Sequence, residues 1–109
     1  MRIGHVTIGG VEYPLTMSTR AMMQMEAEGY DLTHIDGKNI NVTFFVKMLH
    51  AMMVAGNRLE KRGGGNPPTV PAMDDLVDII EPDEMESLTD QLMAVVDGER
   101  NVEAIPPKE

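Results

Sequence analysis

Val6-Thr7-Ile8-Gly9-Gly10-Val11-Glu12-Tyr13-Pro14-Leu15 holds two short β-prone runs joined by a pair of glycines. A two-residue Gly-Gly connection is a strong hairpin signal, because the primed turns that close tight hairpins need positive φ, which glycine adopts without steric cost. Alternation extends back to Ile3, placing Ile3, His5 and Thr7 on one face and Gly4, Val6 and Ile8 on the other. Pro14 has no N–H to donate, so the second strand is expected to be an edge or to end there. A lone hairpin, here residues 3–15, is marginal in water and must bury one face against something else.

Helical segments supply that something. Ser18 is a plausible N-cap for a helix over 18–28 in which Ala21, Met22 and Met25 share a face, and Gly29 stops it. Tyr30 to Ile40 reads as irregular, with a turn at Asp36-Gly37 and with Leu32 and Ile35 as anchors to the core. The longest periodic segment covers 42–62. Its apolar rows, Val42, Phe45, Leu49 and Met52 beside Phe44, Met48, Ala51 and Ala55, leave only a narrow polar stripe of Lys47, His50, Asn57 and Lys61. Such a helix is mostly surrounded and belongs at the centre. Gly56 weakens its last turns by about 1 kcal/mol relative to alanine, which leaves an earlier end or a kink open.

Gly63-Gly64-Gly65-Asn66-Pro67-Pro68 cannot continue a helix and reads as a flexible loop over 63–68. A short helix follows at 70–80, capped by Thr69, with Pro71 in its first turn and Met73, Leu76, Val77 and Ile80 as its apolar positions. Pro82 opens a last helix at 82–96 that carries Met85, Leu88, Leu92, Val95 and Val96, while Asp83, Glu84 and Glu86 sit where the helix dipole favours negative charge. Residues 99–109, with Pro106-Pro107, read as a disordered tail. The expectation is one α+β domain over 1–98, mainly helical: an N-terminal β-hairpin packed on a small bundle of about four helices.

Composition narrows the classes of function. At 109 residues the chain is one small domain, with no cysteine to supply disulfides, thiol catalysis or Cys-ligated metal. Its net charge of -9 disfavours general binding to nucleic acid or to anionic membranes. The amino terminus has no signal-peptide run and no stretch nears about 18 uninterrupted apolar residues, so a cytoplasmic location is expected. Charge is uneven: residues 1–72 hold seven bases and six acids, residues 73–109 two bases and twelve acids. Much of that excess serves helix starts and a solvated face.

Candidate chemistry is sparse. Asp74-Asp75-Leu76-Val77-Asp78 spells DDxxD, which chelates magnesium in prenyl-diphosphate enzymes, but a chain this short offers too little wall for an isoprenoid pocket. His5, His34 and His50 are far apart and form no paired ligand motif. Ser18 and Ser87 lack a nucleophile-elbow context, and the glycine run lacks the Lys-Ser/Thr of a phosphate loop. No catalytic residue, metal site or cofactor is assigned. Eleven methionines, by contrast, call for an account. Adjacent pairs such as Met22/Met23 and Met52/Met53 cannot both face one narrow core stripe, so some are expected at the surface, where unbranched thioethers suit partner helices of varied sequence. The competing account is gap-filling in a core poor in aromatics.

In the order of its elements the chain resembles the tail assembly chaperones of long-tailed bacteriophages and related prophage or gene-transfer particles. Residues Val6 to Leu15 look like that family's opening I-x-I-x-G-K-x-Y-x-L hairpin. The helix from Ser18 to Glu28, the Gly29-Tyr30-Asp31-Leu32 exit, the central run Phe45 to Arg58 and the acidic segment Met73 to Ile80 follow in the same order. The resemblance spans residues 6–96 and departs in the longer, looser Gly-Gly-Gly-Asn-Pro-Pro loop. It implies a non-enzymatic protein of the bacterial host cytoplasm that binds the tape measure protein, helps recruit tail tube subunits during virion assembly and is absent from the mature virion. Implied partners are the tape measure protein, the tail tube protein, a longer frameshifted form of the chain and a second copy of itself, without nucleic acid, membrane or cofactor. Met22, Met23, Met25, Met48, Met52 and Met53 are the candidate client-binding residues. The C-terminal carboxylates would keep the assembly soluble and steer basic segments of the client. The alternative is an acidic inhibitor or nucleic-acid mimic acting on a host or phage DNA-binding protein.

Overall fold

Gly9 and Gly10 turn the chain with φ of 60° and 82°, both in the left-handed region that the primed turn requires. They join β1 (Gly4–Ile8) to β2 (Val11–Leu15) in an antiparallel pair whose register runs from Gly4 opposite Leu15 to Ile8 opposite Val11. Val6, Ile8, Tyr13 and Leu15 are buried on one face, while His5 and Thr7 face outward. Among the described residues the sheet has two strands and each is an edge, so the donor missing at Pro14 is tolerated. The computed structural model describes residues 3–30 and 41–104, with side chains as far as Val95.

Helix α1 (Thr19–Ala27) begins where the Ser18 hydroxyl accepts from the Ala21 amide at 3.1 Å, and is followed by Gly29 at φ 95°. Helix α2 (Val42–Arg62) begins where the Asn41 side-chain oxygen accepts from the Phe44 amide at 2.8 Å. These are the expected bounds to within a residue. Ala21 and Met25, one turn apart, bury against α2. The two helices are also joined where Lys47 Nζ meets Glu28 Oε1 at 2.7 Å and the rings of Tyr30 and Phe44 stack at 4.8 Å. Leu32 and Ile35, expected as anchors, lie outside the described residues.

α2 is the centre of the domain, with β2 and α1 packed against it. The strand crosses at Gly56: a methyl group there would stand 2.5 Å from the Pro14 carbonyl oxygen and 2.6 Å from Leu15 Cα. The Thr16 amide then donates to the Met52 carbonyl at 3.2 Å, so strand and helix touch backbone to backbone. The early end left open at Gly56 does not occur, since α2 runs through it to Arg62. The glycine is there to admit the strand.

Past Gly63 and Gly64, the segment expected to be loose is held on α2. Pro67 is buried, Asn57 Nδ2 donates to the Pro68 carbonyl at 2.9 Å and His50 Nε2 donates to the Pro71 carbonyl at 3.0 Å. With those carbonyls turned to α2, helix formation is postponed. α3 covers Met73–Ile79 rather than 70–80, and its N-cap is Ala72, not Thr69. A 3-10 turn at Pro82–Glu84 follows, closed by a reciprocal capping box between Glu81 and Glu84.

It leads into α4 (Met85–Ala104), whose Leu88, Leu92 and Val95 are buried. β1 lies against α4, and a Cβ on Gly4 would collide with Val95 Cγ2. The backbone of α4 stays helical to Ala104, past the expected end at 96 and into the segment read as a disordered tail. Asp97-Gly98 is a weak stop, since an interior glycine costs a helix only about 1 kcal/mol. Residues 105–109 lie outside the described residues. This is the expected α+β architecture, mainly helical, with an N-terminal hairpin and, among the described residues, four α-helices.

Candidate functional site

The six methionines singled out from the sequence separate into two groups. Met25, Met48, Met52 and Met53 are at most 1% exposed and form part of the core. Met22 and Met23 are 41% and 64% exposed. The cause is the helical period: with Ala21 and Met25 turned to α2, the residues between them project outward. On α2 the same logic fails for Met52 and Met53, because the helix is enclosed by β2, α1 and the strap, the segment 66–72 held on α2 through the Pro68 and Pro71 carbonyls, and has core on more than one side. Only Met22 and Met23 of the six are placed to meet a partner directly.

Met23 stands on the wall of an open groove of about 460 Å³ between the first half of α1 and the last turns of α2, lined by Arg20, Met23, Gln24, Val54 and Arg58. A smaller hollow of about 120 Å³ adjoins it at Ser18, Ala55, Leu59 and Arg62, sharing Arg20 and Arg58. The floor is apolar and the rim carries three guanidinium groups. No carboxylate among the described residues lines either part. Among the described residues Arg20, Arg58 and Arg62 make no ion pair. These arginines were not singled out from the sequence. Their signal was available: Arg58 and Arg62 are one helical turn apart, and antiparallel packing of α1 on α2 brings Arg20 across from them.

The other chemical candidates have structural employment or stand apart. Ser18 caps α1, and the Ser87 hydroxyl accepts from Gln91 Nε2 at 3.1 Å. His50 ties down the strap, His5 is exposed on the hairpin, and His34 lies outside the described residues. Asp74, Asp75 and Asp78 are exposed on α3. Among the described residues no group of three or more His, Asp or Glu side chains is gathered as a metal site would require. Gly64, at φ 92°, helps close the end of α2. Lys47 is held protonated above the ordinary lysine range by its hydrogen bond to Glu28 and by attraction to that carboxylate. No described helix is long and apolar enough to cross a membrane.

Comparison with protein family models, with curated proteins and with solved structures gave no match.

Proposed function

We propose that the chain is a non-enzymatic tail assembly chaperone of a long-tailed bacteriophage or related particle. It binds the tape measure protein in the bacterial host cytoplasm and helps recruit tail tube subunits during virion assembly. The observation that carries this reading is the pair of exposed methionines on α1, of which Met23 lines an apolar groove against α2. Adaptable thioethers at a groove suit a client made of long amphipathic helices. The order of hairpin, short helix, long central helix, acidic helix and last helix supports it.

Met22 and Met23 are the direct contacts in this reading, while Met25, Met48, Met52 and Met53 act through the shape of the core beneath them. The exposed carboxylates of residues 74–86 keep chaperone and client soluble together. The alternative role as a nucleic-acid mimic gains less, because Asp74, Asp75, Asp83 and Glu84 fall in helix starts, where they already have a function.

Co-expression with a tape measure fragment tests the proposal. The soluble fraction of the fragment should rise severalfold with the chain present, and Met22→Asp with Met23→Asp should reverse the gain. An unchanged soluble fraction rejects it.

A further inference from the structure

We propose that the α1–α2 groove seats an amphipathic helix of a partner protein whose apolar stripe is flanked by carboxylates. This rests on reading that face as the client surface and adds the chemistry the client must show there. Met23 on the wall, with Val54 and Leu59, gives an apolar stripe somewhere to bury, and the groove between two helices has the form used to capture a third. The rim sets the charge. Arg58 and Arg62 present two guanidinium groups one turn apart, so they match acidic residues one turn apart on the incoming helix. Arg20 meets a carboxylate on the opposite flank.

Charge complementarity is what singles out this occupant. In a chain of net charge -9, three arginines that have no carboxylate partner among the described residues gather around one apolar depression. Carboxylates of a partner are repelled by residues 73–109 and accepted at the groove, which fixes where the partner lands. A nucleic acid fits poorly. Among the described residues the lining has no aromatic ring on which a base could stack, and its apolar floor offers nothing to phosphates.

The test uses the whole chain and three labelled synthetic helical peptides that share one leucine stripe and carry glutamate, glutamine or lysine on both flanks. Binding is followed by fluorescence anisotropy. The glutamate peptide should bind about tenfold tighter than the lysine peptide, as expected for a few exposed charge pairs, and added salt should narrow the gap. Arg58→Gln with Arg62→Gln should level the three peptides, and Arg58→Glu with Arg62→Glu should invert their order, with circular dichroism confirming the fold. Should the double reversal misfold, the glutamine pair still decides.

Equal or tighter binding of the lysine peptide overturns the proposal, as does a preference untouched by the glutamine pair. Tighter binding of a single-stranded oligonucleotide also overturns it. So does a dimer in sedimentation that the glutamine pair abolishes, since the groove would then belong to a second copy. If the glutamate peptide binds while the tape measure fragment stays insoluble, the chaperone reading fails and the groove stands. A solubilised fragment with no peptide preference has the reverse meaning.

Discussion

Gly56 shows how one residue can be judged wrongly by its local cost and correctly by its neighbours. Alanine would strengthen the helix by about 1 kcal/mol, yet its methyl group would press on the Pro14 carbonyl and on Leu15 Cα, which belong to backbone and cannot rotate aside. Overpacking of this kind costs about 1–3 kcal/mol, so Gly56→Ala should lower the urea midpoint despite better helix propensity. The methionines divide by the same test. Met52→Ala or Met53→Ala empties a filled site and should cost about 2–5 kcal/mol. Met22→Ala and Met23→Ala should stay within about 0.5 kcal/mol of the parent in the same urea titration.

Among the elements, those announced by local chemistry were legible in the sequence. The Gly-Gly turn, the Ser18 cap and the unbroken period of 42–62 place β1, β2, α1 and α2 to within a residue or two. Less legible was whatever a distant partner decides. His50 and Asn57 read as a polar stripe open to water, and only the folded chain shows that their acceptors are carbonyls of the strap. The groove was hidden for the same reason, since its arginines come from helices remote in sequence. Asn57→Ala should therefore cost about 1 kcal/mol and should raise amide exchange and proteolysis selectively in residues 66–72. The Lys47–Glu28 contact makes a pH prediction. Because the folded state raises the lysine, the contact contributes fully below the unfolded value and is lost as pH climbs through the folded one. Melting temperature should thus owe nothing to this pair's titration near neutrality and fall in the alkaline range, with a shallower fall in Glu28→Gln.

At the scale of the molecule the hairpin links α4 to the helices packed on α2. β2 lies on α2 and β1 on α4, so the hairpin reaches elements from both halves of the chain. Tyr13→Ala, at the centre of its buried face, should therefore lower stability everywhere together: far-UV dichroism and exchange of α4 amides should report one coincident transition. Separate transitions would mean that α4 docks independently. The crossing at Gly56 carries a further consequence for kinship. At the crossing itself strand and helix meet through backbone, so that point constrains a few atoms, while Tyr13 and Leu15 beside it need only remain apolar. What must persist is a fingerprint of geometry: a tight glycine turn near the start, and a lone glycine deep inside the longest helix that meets the returning strand. Chains of shared descent can carry that mark long after ordinary sequence identity has faded.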